Sequence, residues 1–550
     1  MKKFNLIFRL IRLVKKFWLI MTLAIINGIV GNLFSIGISF LGAYGLVLLI
    51  SGNHGIEFII VISLMIAFGL LRGVLRYFEQ YSNHFIAFKI LAHIRHIIFK
   101  KLAELSPSRI DKKDKGALLN QITSDVETLE VFYAHTISPV FIALFTNGTI
   151  VILVSIFLNW IVGLIYLLFY LLIGILIPFK FYNSTKKEGY EYRQDLASFS
   201  AFSLDMISGR KDIKLLNKKD KFLLDSETRV NKLNKEKRSM SIKSANIKSI
   251  NDFLIYFGAI LIIVMSVVTF KVYKLDLSLT VISLVTFISS FGPIIALANL
   301  PGNLNQTFAS AKRLFALLDE KPLVKEANNG VKVNFESLKL ENLSFSYDKV
   351  KILNDVSFAL NSKEIIGIVG ESGIGKSTLL KLIMRYYPYE GDIKINDINI
   401  NEIDDKSFHD NVCMFSQNTY LFNETLKENM LIAKPNATDN EIIEALKKAS
   451  IYDFVLGLEN GLDTVIKEDS TNISLGEKQR LGLARVFLRN PKLLLLDEPT
   501  SNIDSFNESM ILNSLKKYKG EMTIIMISHK ESTMAIADKI YRLRNGKLYA

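Results

Sequence analysis

The 550-residue chain is half hydrophobic and carries 67 Lys and Arg against 53 Asp and Glu, a formal charge of +14. That apolar share puts a membrane class ahead of any soluble fold, and a single cysteine, Cys413, excludes an intrachain disulfide. The basic residues flank apolar runs and do not interleave with aromatics, which points to anionic lipid and not to nucleic acid.

The first 16 residues, MKKFNLIFRLIRLVKK, place apolar side chains at helical spacing with basic ones opposite, the pattern of a helix lying along a membrane surface. Phe17 to Ile50 then holds no charge at all, and about 20 apolar residues span a bilayer core. The run is too long for a signal-peptide core and is expected to be retained. Five further spans follow at 56–75, 136–158, 160–181, 253–270 and 277–300. A six-helix all-α transmembrane domain is therefore expected over 17–320, with several helices running on past the membrane surface as amphipathic stretches. Lys2, Lys3, Arg9, Arg12, Lys15 and Lys16 contrast with the uncharged SGNHG after the first span, and 184–251 is rich in Lys and Arg, so both termini are expected inside the cell.

Arg72, Arg76 and Glu79 are spaced by four and three, so they form one polar stripe. Charge within a span is a functional hint by default. The stripe either lines a substrate cavity or is an ion-pair network at the end of the span.

From 321 to 336 the sequence is polar and lacks helical spacing, as a linker would. An α/β domain with a helical subdomain is expected over 337–550. Its apolar strand EIIGIVG runs into ESGIGKSTLL, so G-x-x-x-x-G-K-[ST] stands between strand and helix, where a phosphate-binding loop belongs. Gly370, Gly373 and Gly375 let the backbone curl around a phosphate, with Glu371, Ser372 and Ile374 supplying further amides. The helix near Lys376 and Thr378 adds its positive end. Lys376 would reach the β and γ phosphates and Ser377 would hold Mg²⁺. LLLLDE is an apolar strand ending in Asp497, a second Mg²⁺ holder, and Glu498, which can polarise water.

With these motifs in order, the chain resembles the ATP-binding cassette (ABC) transporter superfamily, in its exporter-type half-transporter form. The resemblance implies that Tyr347 in SFSY stacks on adenine, that Gln417 in MFSQ joins the metal and the catalytic machinery, that SNID (501–504) is the D-loop, and that His529 in MISH contacts the γ phosphate. It implies coupling segments near 112–125 and 208–220. ISLGE takes the place of the usual LSGGQ, which touches ATP held by the opposite cassette, so a second half-transporter is implied. Ser474 and Gly476 are retained, Leu475 replaces a glycine, and Glu477 replaces the glutamine. Ser474 and Glu477 fit a capping box, whereas Leu475 would crowd a close backbone approach. The expectation is a weaker site within an unequal pair, and hence a heterodimer, with a homodimer as the alternative.

The segment from LRYFEQYSNHF to HTISP is similar to the CydC half of the CydDC family. That likeness implies export of a small thiol, cysteine or glutathione, or a haem-linked role in cytochrome bd assembly, beside a CydD-like partner. It puts His84 where an imidazole could ligate haem iron; the plainer reading is a lone histidine hydrogen-bonded within the bundle. A multidrug, lipid or peptide exporter, or a regulatory ATPase on the same frame, are the alternatives.

Overall fold

The computed structural model describes residues 3–52, 55–111, 113–273, 278–298, 300–325, 327, 329–467, 473–501 and 503–549. Outside them fall Met1 and Lys2 of the N-terminal helix, Asn53 and His54 of SGNHG, Lys112, Leu277 and Asn299 of expected segments, Glu326 and Asn328 of the linker, and Asn502 of SNID. The chain divides into two compact units, Met1–Glu104 with Lys113–Glu320, and Leu105–Lys112 with Lys321–Ala550.

Among the described residues of the first unit, six helices are long and apolar enough to cross a membrane: Asn5–Ile50, Ile56–Leu105, Lys115–Phe157, Trp160–Phe181, Lys219–Met265 and Ser278–Ala298. Each holds most or all of one expected span. The 50 residues of Ile56–Leu105 reach about 75 Å at 1.5 Å per residue, well past a core of about 30 Å. The expected extension beyond the bilayer is thus real.

Aromatic packing locks the bundle centre. Tyr166, Phe169, Phe287 and Phe291 are buried and meet edge to face at centroid separations of 4.8 to 5.9 Å. Tyr166 Oη donates to the Ser283 carbonyl at 2.6 Å and Tyr170 Oη to Ser290 Oγ at 2.5 Å, which satisfies both phenols. The amphipathic N-terminal helix Lys3–Val14 forms, with Leu6, Leu10 and Val14 buried inside its own unit and Phe8 exposed. Arg9 clasps Asp319 through two bonds of 2.6 and 2.9 Å.

The first expected coupling segment, 112–125, contains a helix start. Leu105–Lys112 clusters with the second unit, whereas Asp114 caps a new helix at Lys115–Asn120 by accepting from the Ala117 amide. The cap restarts regular structure within 112–125. A short helix, Arg210–Leu215, occupies the second expected position.

The second unit carries two sheets. β1 (Ser337–Tyr347), β2 (Val350–Asn361), β4 (Glu390–Ile395) and β5 (Ile398–Asn399) make an antiparallel sheet of order β2-β1-β4-β5. The other sheet, of order β10-β9-β3-β8-β7-β6, contains β3 (Ile365–Val369), β6 (Val412–Phe415), β7 (Leu493–Asp497), β8 (Thr523–Ile527), β9 (Lys539–Arg544) and β10 (Lys547–Tyr549). All its pairs are parallel except β9 with β10. The central strands IIGIV, LLLLD and TIIMI are buried along nearly their whole length, so they read as continuous apolar runs. Helices Leu426–Leu431, Asp439–Lys448, Tyr452–Leu456 and Leu475–Arg489 gather around a second core, the expected helical subdomain.

Cys413 lies on β6, and burial pushes its thiol up from the ordinary value. The thiolate is the reactive form, so iodoacetamide at neutral pH is expected to label Cys413 slowly in the folded protein and rapidly in urea. Equal rates in both would show an accessible, ordinary thiol.

Candidate nucleotide site and a polar membrane cavity

In an open parallel sheet, ligands gather beyond the carboxyl ends of the strands. β3, β8 and β7 are neighbours, so the segments after Val369, Ile527 and Asp497 converge there. After β3, Gly373 and Gly375 adopt φ of +80° and +111°, the left-handed region that glycine enters without strain. At Gly370 a Cβ would stand 2.7 Å from the Leu543 carbonyl, so a side chain is excluded. Lys376, only 4% exposed, turns back into the curl and donates to the carbonyls of Gly370 and Glu371, each at 2.8 Å. Its ammonium is held where phosphate oxygens would lie.

Ser377 Oγ donates to Asp497 Oδ1 at 2.7 Å, which joins the two expected metal holders. Burial raises the Asp497 carboxyl above its ordinary value, against the Ser377 bond; a divalent cation would restore the charged form. Glu498 has φ of +48°, uncommon away from glycine, fixed by its amide donating to the Ile527 carbonyl at 3.0 Å. Its Oε1 lies 3.4 Å from His529 Nδ1. Gln417 Nε2 donates to Ser501 Oγ at 3.1 Å, which places it on the loop after β7. Tyr347 packs edge-on to Phe345 and Tyr387 at 4.8 and 5.4 Å. The Tyr387 phenol is pushed up to about 12 by burial and then by Tyr347.

The capping box is present. The Ser474 amide and hydroxyl donate to Glu477 Oε2 at 2.8 and 2.7 Å, and the Glu477 amide donates back to Ser474 Oγ at 3.3 Å. Leu475 is 42% exposed, projecting from the helix start. At Gly476 a Cβ would sit 2.6 Å from Asn507 Nδ2, and that amide nitrogen donates to Asp504 at 2.5 Å. Glycine here therefore lets the ISLGE helix meet the helix that Asp504 caps.

Sequence reasoning missed the ties behind His529. Lys530 Nζ donates to the Thr500 carbonyl at 3.0 Å and to Glu508 at 2.8 Å, which fastens the β8 loop to the β7 loop. A lysine directly after the histidine was the only signal.

In the membrane unit, Arg72, Arg76 and Glu79 line one cavity of about 510 Å³, together with Asn32, Gln80 and His135. Arg76 also pairs with Glu79 at 2.6 Å, so the stripe is both lining and ion pair. Gly28 lets Ile142 approach beside this cavity, since a Cβ there would stand 2.2 Å from Ile142 Cδ1 and 3.2 Å from the Glu79 carboxyl carbon. His84 is not a lone histidine: its Nδ1 is 3.0 Å from Glu130 Oε1 and its ring stands edge-on to His135 at 5.3 Å. Glu130 and His135 were missed, being 46 and 51 residues away on another helix.

The family models agree with this division. Residues 17–294 match the family model described as ABC transporter transmembrane region, and residues 353–501 the one described as ABC transporter. The chain belongs to the ABC transporter family. It is an exporter-type half-transporter, a membrane domain fused to one cassette, and it is 40% identical over 98% of both chains to a Haemophilus influenzae protein described as "Probable ABC transporter ATP-binding/permease protein". It is 28% identical over 96% of this chain and 93% of the other to the Escherichia coli "Glutathione/L-cysteine transport system ATP-binding/permease protein CydC". A Syntrophus aciditrophicus "ATP-dependent lipid A-core flippase" is 27% identical over 87% of this chain and 80% of its own length. As an ABC transporter the chain is a multi-pass membrane protein that binds ATP with a nucleotide-bound metal and couples hydrolysis to transport. ABC half-transporters act as dimers.

Proposed function

We propose that this half-transporter exports a small zwitterionic thiol, cysteine or glutathione, as one chain of a heterodimer with a homologous, CydD-like partner in a bacterial inner membrane. The carrying observation is the cavity. Two guanidiniums, Arg72 and Arg76, offer carboxylate recognition, and the buried Glu79 beside them offers an acceptor for an ammonium group. The relationship to CydC supports the same cargo.

In this reading residues 1–16 rest at the inner surface, 17–320 carry the cargo, 321–336 link, and 337–550 drive. Lys376 grips the β and γ phosphates, Ser377, Asp497 and Gln417 serve the Mg²⁺, and Tyr347 stacks on adenine. Glu498 polarises the attacking water and His529 reads the γ phosphate. Ser474, Gly476 and Glu477 cover the partner's nucleotide, and exposed Leu475 weakens that site. ATP binds the closed dimer better than the open one, and that difference drives the cycle.

Two imidazoles and a carboxylate within 4.8 Å of one another around His84 form the donor set of a small metal ion more than of a porphyrin.

Inverted vesicles containing the chain and its partner are expected to accumulate labelled cysteine or glutathione with Mg·ATP and not without. Vigorous ATP hydrolysis with neither thiol accumulated would sink the cargo assignment and favour a lipid or drug.

A further inference from the structure

We propose that His84, Glu130 and His135 form a binding site for one divalent transition-metal ion of the Zn²⁺ class, with an open coordination position facing the polar cavity. Their donor atoms all lie within 4.8 Å of one another. Ligands at about 2.0 to 2.1 Å on a tetrahedral ion stand roughly 3.3 Å apart, and His84 Nδ1 and Glu130 Oε1 are already at 3.0 Å. Rotation of the exposed His135 ring closes the remainder. Two imidazoles and a carboxylate suit Zn²⁺, Cu²⁺ or Ni²⁺ and not Mg²⁺ or Ca²⁺, which prefer all-oxygen shells.

The backbone is built for this grouping. Glu130 and His135 are five positions apart, which at about 100° per residue would set them on well-separated faces of a regular α-helix. Tyr133–Ile137 is instead a π-helical turn, and Thr136 Oγ1 reaches back to the Val131 carbonyl at 2.8 Å, also five residues away. Such wide turns recur at functional sites. Here the turn swings His135 onto the side of Glu130 and into contact with His84, which belongs to Ile56–Leu105. A bound ion therefore bridges two membrane helices.

Three protein donors leave a fourth position free, the arrangement of Zn²⁺ sites that engage a small molecule. His135 lines the same cavity as Arg72, Arg76 and Glu79. Thiolate is a strong ligand for such ions, so the free position would take the sulfur of a thiol whose carboxylate meets the arginines. This last step rests on the thiol cargo proposed above; the ion site itself does not.

The test is Co²⁺ titration of the full-length protein in nanodiscs. Visible bands of four-coordinate Co²⁺, saturating at one ion per chain and abolished by Zn²⁺, are expected. His135→Ala and Glu130→Gln should each weaken Co²⁺ by more than the roughly 10- to 100-fold that follows loss of an outer-shell partner, with Mg·ATP binding retained as the sign of a folded chain. Absence of the bands, or bands indifferent to His135→Ala, overturns the site. So does a haemin Soret shift that His84→Ala abolishes and both other variants leave intact, since His84 would then be an axial ligand. Cysteine, but not serine, added to the Co²⁺ form should raise a near-ultraviolet thiolate charge-transfer band. Co²⁺ binding without that band leaves the ion site standing and removes only the sulfur–metal contact, while the vesicle uptake assay decides the thiol cargo separately.

Discussion

Replacing Glu498 with Gln is expected to slow ATP hydrolysis by about 10²- to 10⁴-fold, the span a positioned general base contributes, while Mg·ATP still binds. Glutamine keeps the shape and cannot take a proton from water. The backbone would hold it in place, since the 498 amide stays bonded to the Ile527 carbonyl at 3.0 Å whatever the side chain. The neighbouring Asp497, which bonds Ser377, is untouched, so metal and phosphate grip should survive. Phosphate release measured beside retention of labelled ATP separates the two effects. Turnover within a fewfold of the unaltered protein would remove Glu498 from the chemistry.

The Lys376→Ala change is expected to act earlier, on binding. Lys376 is 4% exposed and its ammonium now satisfies two carbonyls at 2.8 Å; ATP would trade those contacts for phosphate oxygens. A hydrogen bond to a charged group contributes roughly 1.5 to 3 kcal/mol, so affinity should fall on the order of 10- to 100-fold, and transport with it. Binding of a fluorescent ATP analogue, read beside the melting temperature, distinguishes lost grip from lost folding. An unchanged affinity would mean that the curl after β3 does not hold the polyphosphate.

Much of the frame was legible because its signals are local. IIGIV and LLLLD are strands covered on both faces, so no alternation was needed to find them, and uncharged runs longer than a bilayer is thick announce themselves. The loop between Gly370 and Thr378 is dictated by positive φ at Gly373 and Gly375. What escaped is what depends on a neighbour or on an irregular turn. The partners of His84 sit on another helix, and a five-residue spacing carries no meaning until the π turn at Tyr133–Ile137 exists. The bond from the Gln417 amide to Ser501 was equally hidden, since that partner is set by how β6 and β7 lie side by side. The helix start at Lys115, capped by Asp114, was likewise hidden within the charge run around it.

Arg9 grips Asp319 with two parallel bonds, rests on the Phe315 ring at 4.1 Å, and holds that carboxyl below its ordinary range. The opening dozen residues are thereby buckled to the final helix ahead of the linker. An affinity tag spliced close to residue 9, or a start codon chosen past it, would unfasten that strap and bare the Phe315 ring.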